Sequence, residues 1–343
     1  MRIGSLGAAT LAAATLAGCG GGGAAPAATT RAPAATTTAP AGTAAAGPAA
    51  SPPLTRRPAG RVVRVGARPD AVGADVLGRQ FAVAVHDPAR LVLVGARSGR
   101  VARRVAVPGA VPRPGDPTPA VFLLQGEIGR DAVAVSSGPR PASAAVALGR
   151  TFVTVGGQVD VLGRDGPTDH FATAVTAIAP ADSATHLAVL SGPRHVLELY
   201  APDTLRRIAS VPAPAGATHL ATLDDLVFVV DTTGNALLTY STQPHLHPVA
   251  HQPLPGAPYA IAVDPTRRVL GVTLTASNRL TEIPLATPTH TATLPTVRQP
   301  DALAVDASTG TFAIASPTSG TLQLVSRQER PHAEPARHAR NGG

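Results

Sequence analysis

A recurring seven-residue segment narrows the folds open to this chain. Pro258-Tyr-Ala-Ile-Ala-Val-Asp264 and Pro300-Asp-Ala-Leu-Ala-Val-Asp306 align without a gap at an offset of 42 residues and are identical at five of seven positions. Ala217-Thr-His-Leu-Ala-Thr-Leu-Asp224 and Val175-Thr-Ala-Ile-Ala-Pro180 fall in the same frame, and Pro69-Asp-Ala-Val72, Pro117-Thr-Pro-Ala120 and Pro141-Ala-Ser-Ala144 continue it toward the N-terminus. A period of this length means a unit that cannot bury its apolar face alone and must stack on its neighbours. Within each unit a second apolar run follows, such as Val227-Phe-Val-Val230 or Phe312-Ala-Ile-Ala315. A Gly/Asn/Ser turn then opens an alternating third run, such as Thr233-Gly-Asn-Ala-Leu-Leu-Thr-Tyr240. Alternation after such a turn is a hairpin signal. With a weaker fourth run, for example Arg103-Arg-Val-Ala-Val107, each unit has the four strands of a propeller blade.

The strand–turn–strand stretch Val272-Thr-Leu-Thr-Ala-Ser-Asn-Arg-Leu-Thr-Glu-Ile283 resembles the YVTN-type β-propeller repeat family, although Val, Leu or Phe stands in place of its tyrosine. The resemblance covers roughly residues 61–328 and implies an all-β fold rather than an activity. Repeat starts near 70, 118, 142, 176, 218, 259 and 301 predict seven blades, with six as the alternative because the second is short. The last repeat ends after three strands near Arg327, and Arg61-Val-Val-Arg-Val65 has no blade of its own. Those residues are expected to supply the missing outer strand and so remove an open edge.

The N-terminus carries an address. Arg2 precedes an apolar stretch from Ile3 to Leu16, too short for an ordinary membrane span, ending in Leu16-Ala17-Gly18-Cys19. This resembles the bacterial lipoprotein lipobox, which implies cleavage after residue 18, lipidation of Cys19 and display on the outer face of the cytoplasmic membrane. Cys19 is the single cysteine, so the chain has no internal disulfide and no CxxC site. Residues 19–60 are mostly Gly, Ala, Pro and Thr and read as a disordered linker with too little apolar surface to offset ordering entropy. Its Thr/Pro content suits O-glycosylation. Residues 329–343 read as a basic disordered tail.

All 29 basic side chains counted with the Arg are Arg, since Lys is absent, which excludes a Walker phosphate loop and Lys-based covalent catalysis. The net charge of +8 favours anionic surfaces. The export signal and an aromatic content of 3% argue against nucleic acid. Closure of the last blade brings Arg56, Arg57, Arg61 and Arg64 toward Arg327, Arg330, Arg337 and Arg340, with only Glu329 and Glu334 to offset them locally. Such a seam predicts salt-sensitive cosedimentation of the lipid-free ectodomain with anionic vesicles; equal retention on neutral vesicles, or no retention, contradicts it.

In a propeller the first strand of each blade lines the central channel, so the residues just before it form the channel mouth. The ring expected there is Asp70, Thr118, Ala142, Thr176, Thr218, Tyr259 and Asp301, with His219 one step on. These are candidate binders of a polar ligand or cation. Gluconolactonase-like propellers hold a metal by Glu, Asn and Asp at the channel. Here Glu127, Glu198 and Glu282 are the glutamates of the propeller, and the last two fall on third strands away from the axis. The virginiamycin B lyase type requires a channel His with acidic metal ligands, a part open here to His219 alone. His245, His247 and His251 have spacing that fits zinc or copper on one strand face, but Pro248 interrupts that strand. No cofactor is expected, and a binding or scaffolding module is favoured over a metal-dependent hydrolase or lyase.

Overall fold

The computed structural model describes residues 46–75, 79–106, 120–121, 134–135, 143–155, 157–163, 166–289 and 291–329. The lipobox, Cys19, Thr118, Glu127, Ala142 and the tail arginines from Arg330 onward lie outside them.

Blade 1 comprises β2 (Ala67–Asp75), β3 (Gln80–Asp87), β4 (Ala89–Gly95) and β5 (Val101–Ala106). Blade 2 comprises β8 (Ala144–Ala147), β9 (Arg150–Val155), β10 (Gln158–Gly163) and β11 (Gly166–Thr173), and blade 3 comprises β12 (Ala177–Ala181), β13 (His186–Ser191), β14 (Val196–Tyr200) and β15 (Arg207–Pro212). Blade 4 holds β16 (Ala217–Leu223), β17 (Leu226–Asp231), β18 (Ala236–Ser241) and β19 (His247–Pro253), and blade 5 holds β20 (Pro258–Asp264), β21 (Val269–Leu274), β22 (Arg279–Pro284) and β23 (Ala292–Pro295). Blade 6 is made of β24 (Ala302–Asp306), β25 (Thr311–Ser316), β26 (Thr321–Val325) and, from the other end of the chain, β1 (Arg61–Arg64).

Each blade is an antiparallel meander, and the first strands β2, β24, β20, β16, β12 and β8 pack side by side around the axis. The turns follow from their residues. Asp306 Oδ1 accepts from Ser308 N at 3.0 Å, and Gly310 closes the hairpin at φ 71°. Asp231 Oδ1 likewise accepts from Gly234 N at 2.8 Å ahead of Asn235 at φ 53°. Short acceptor side chains and left-handed residues are what such turns require.

The seven-blade expectation is corrected: the described residues hold six four-stranded sheets, as in the alternative reading. The stretch counted as a second blade supplies, among them, a two-stranded ladder of β6 (Ala120–Val121) and β7 (Ala134–Val135), with β6 against β3 and β4 of blade 1. Pro108, Pro112, Pro114, Pro117 and Pro119 crowd that part of the sequence, and proline cannot donate to a ladder.

The core is a set of apolar layers between blades. One joins Val83 and Val94 of blade 1 to Ala313 and Leu322 of blade 6, and four others fill the interfaces from blade 2 to blade 6. With few aromatics, fit depends on pairing large with small. A Cβ on Gly271 would lie 2.6 Å from Phe312 Cε1, so the glycine makes room for a ring of the next blade.

β1 pairs with β26 from Arg61↔Leu324 to Arg64↔Thr321 and closes the ring. Just ahead of it, residues 46–60 are not the free tether that their composition suggests. Ser51 is buried, and Ala59 packs on the layer between blades 5 and 6. The fully buried Gln323 donates to Ala59 O at 2.7 Å and Pro295 O at 3.1 Å, and accepts from Val297 N at 2.8 Å. One side chain thereby bonds three backbone groups between blades, of which Pro295 O also accepts from Ala59 N at 2.9 Å.

Candidate functional site

The first strands enclose a channel of about 510 Å³. Most of its lining residues are aliphatic, with Val72, Ala144, Val146, Ala179, Ile261 and Val263 half-exposed toward the lumen, but about half of the exposed wall is polar, with Asp70, His219 and Asp301 among the polar groups. Asp70 belongs to β2 and Asp301 immediately precedes its neighbour β24, so two carboxylates stand near the start of adjacent inner strands.

Each is held by a residue absent from the expected ring. His86 Nε2, at the end of β3, contacts Asp70 Oδ2, and its ring is almost fully buried. Gln299 Nε2 donates to Asp301 Oδ1 at 2.8 Å. Burial pushes the Asp301 carboxyl up to about 6, against the opposing effect of the Gln299 bond. Burial, with the Asp301 charge added, pushes the Tyr259 phenol up to about 12. The His219 ring meets Tyr259 edge-on, with centroids 4.5 Å apart. Burial drives that imidazole down to about 4, so His219 is neutral at pH 7, and its Nδ1 has no hydrogen-bond partner among the described residues.

The two remaining described members of the expected ring turn elsewhere. Thr176 Oγ1 accepts from Gly192 N at 2.9 Å. The buried Thr218 hydroxyl bonds Thr232 Oγ1 at 2.8 Å, and that hydroxyl in turn donates to Pro258 O at 2.7 Å. β16 bulges between Ala217 and His219 as β2 does between Pro69 and Ala71, and in β16 it is His219 rather than Thr218 that lines the lumen. In blade 2 the channel-lining hydroxyl is Ser143, which donates to Ile178 O at 2.9 Å.

The other candidates lie away from the channel. Glu198 is fully buried in β14 and accepts from Arg194 Nη2 at 2.6 Å, Arg207 Nη1 at 2.9 Å and Tyr200 Oη at 3.1 Å. Burial acts to raise its carboxyl, and the bonds from Arg194 and Arg207 outweigh it and hold the pKa below the ordinary value. Glu282 is buried in β22. His245 and His247 stack with centroids 5.1 Å apart, but a bulge opposite Thr239 and Tyr240 breaks the alternation before His251. No group of three His, Cys, Asp or Glu among the described residues is placed to hold a metal ion.

Arg61 Nη1 donates to Ser98 O in the loop that also carries the exposed Arg97 and Arg100, and exposed Arg103 and Arg104 follow on β5. No helix among the described residues is long and apolar enough to cross a membrane.

No family model matches this sequence, and no curated protein does. Solved structures do. A streptogramin B lyase superposes with a TM-score of 0.61 at 12% identity, covering 77% of this chain and 96% of that one. The virginiamycin B lyase of Staphylococcus aureus gives 0.58 at 13%, covering 77% and 99%. A β-propeller domain from Myceliophteria thermophila gives 0.51 at 12%, covering 78% and 99%. At such identities the likeness establishes a β-propeller and nothing about chemistry.

Proposed function

We propose that this protein is a small-molecule binding module displayed at the outer face of the cytoplasmic membrane through lipid on Cys19, with its site in the axial channel. The observation that carries this reading is an aliphatic channel of about 510 Å³ with Asp70 and Asp301 near one end. Ligand sites have this size and combine aliphatic side chains with a few convergent polar groups, and here about half of the exposed wall is polar. Two carboxylates beside a neutral imidazole favour a ligand with an amine or guanidine head and an apolar body. The channel mouth thus carries the opposite sign to a chain of net charge +8. A metal-dependent hydrolase or lyase, the other class that the sequence leaves open, needs a donor set around a cation, and the described residues do not assemble one.

The test compares alkyl amines and guanidines with matched neutral amides by thermal shift, in the wild type and in Asp70→Asn/Asp301→Asn. Saturation at a hundredfold over Kd stabilises the native state by about 2.7 kcal/mol, a rise of several degrees. The cationic members are expected to raise the wild-type midpoint and to lose that effect in the double variant. Equal shifts by cationic and neutral members contradict the assignment of the head group.

A further inference from the structure

A second site lies on blades 5 and 6, outside the channel, and it is already occupied. Residues 49–52 lie between the short 3-10 turn Thr275–Ser277, with Asn278 after it, and the loop of Arg298 and Gln299. Ala49 N donates to Thr275 Oγ1 at 3.1 Å, and Ala49 O accepts from Gln299 Nε2 at 3.0 Å. Ser51 N donates to Gln299 Oε1 at 3.0 Å. The Ser51 hydroxyl donates to Thr275 O at 2.6 Å and accepts from Gln299 N at 3.1 Å. Ser51 O accepts from Arg298 Nε at 3.3 Å, and Pro52 O accepts from Asn278 Nδ2 at 2.9 Å.

The division of labour in these contacts resembles peptide recognition. Five of the seven bonds read main-chain atoms of the segment, which any extended peptide offers, and the other two read one hydroxyl in a socket where Ser51 is 5% exposed. Ala50 and Pro52 are exposed, so the groove makes little demand at those positions beyond an extended backbone, which Pro52 favours for the residue ahead of it. Gln299 spends both amide hydrogens and its carbonyl oxygen here, with Ala49, Ser51 and Asp301 as partners. The groove is therefore built around a side chain that also holds a carboxylate of the channel.

We propose that this groove is a binding site for extended small-residue–Ser–Pro peptides, that residues 49–52 occupy it in cis, and that a peptide of the same kind supplied in trans takes their place when they leave. Covalent linkage gives the cis segment an effective concentration in the mM range, so it excludes weak competitors while docked.

The experiment titrates a fluorescein-labelled peptide of residues 47–53 into three forms of the protein and reads anisotropy. They are the wild type, Ser51→Arg, which no longer fits the socket, and Ala49→Pro/Ser51→Arg, which also lacks the N–H that Thr275 Oγ1 accepts. A cooperative thermal melt is required of both variants, and either one suffices. The peptide is expected to bind the unlatched protein at least ~10-fold more tightly than the wild type, in keeping with that effective concentration. Binding is expected to fall at least ~10-fold when Gln299→Ala is added, or when the peptide carries Ser51→Ala, since each change removes two or more hydrogen bonds at about 1 kcal/mol apiece. A folded, unlatched protein that binds no peptide up to ~1 mM, within the range the tether supplies, overturns the proposal. So does binding that is indifferent to Gln299→Ala.

Discussion

A chain that begins at Gly66 is expected to melt at least ~10 °C below one that begins at Gly60, because the difference between them is the strand that closes the ring. Without β1, β26 becomes an open edge with four residues unpaired, from Thr321 to Leu324. Val65, 1% exposed, leaves the layer between blades 6 and 1, where Val63 also packs. Burying one Val side chain is worth about 1.5–3 kcal/mol, and each ladder hydrogen bond adds about 1 kcal/mol net. Against the entropy of ordering a short strand, a loss of about 4 kcal/mol remains. For a domain of this size that is on the order of 10 °C. The shorter chain also presents a bare strand edge and is expected to self-associate in sizing chromatography. Equal melting points for the two chains would show that β1 lies on a sheet that is complete without it.

The second large effect concerns pH. Asp301 and His219 titrate in the same window with opposite consequences. With its carboxyl raised from 3.8 to about 6, Asp301 holds a proton in the native state that the unfolded chain has released, so its contribution falls as pH rises through this range. With its imidazole lowered from 6.5 to about 4, His219 is neutral in the native state while the unfolded chain takes up a proton. Its contribution is therefore lost as pH falls through the same range. At about 1.4 kcal/mol per unit His219 is worth at most on the order of 3 kcal/mol, and Asp301, which is partly exposed and screened by solvent, contributes less, so in the wild type they partly offset one another. Asp301→Asn leaves His219 unopposed, and stability from urea titrations is expected to climb from pH 4 to 6.5. His219→Asn leaves Asp301 unopposed, and stability is expected to decline over that span. Other carboxylates are common to both variants and cancel in the comparison. Parallel profiles for the two would mean that these groups do not titrate as buried residues.

What the sequence reveals and conceals has physical causes. The repeat is visible because each blade needs the same apolar run on its inner strand and the same acceptor at the following turn, as at Asp264 and Asp306, both almost fully buried. The closing strand is visible because three strands at one end and one at the other leave an edge that must be paired. The docked segment 49–52 is concealed, since its bonds run mainly through backbone atoms and the only side chain that marks it is Ser51. Composition cannot distinguish such a segment from a free linker. At the mouth, alignment places Asp70 and Asp301 on the channel, but in blade 4 the buried Thr218 hydroxyl bonds Thr232 and His219 lines the lumen in its place. His86 and Gln299 escape notice because each reaches its carboxylate from outside the inner strand, and the only signal of Gln299 is an amide two residues before Asp301. The proline-rich stretch after β5 carries the repeat's apolar runs interspersed with prolines that cannot donate to a ladder, which explains an expectation of one blade too many.

Filling the channel tests the site most directly. Ala179 lies on β12, half-exposed to the lumen and opposite Ala188 on β13, so Ala179→Trp places a ring in the channel without touching Asp70, Asp301 or the 49–52 groove. The measurement is thermal shift of this variant and the wild type across the same panel of amines, guanidines and amides. Stabilisation of the wild type by one or more cationic members, and its disappearance in a cooperatively melting Ala179→Trp, is the predicted result. Shifts that persist with the channel filled, or a wild type that no member stabilises, would contradict a small-molecule site in the channel.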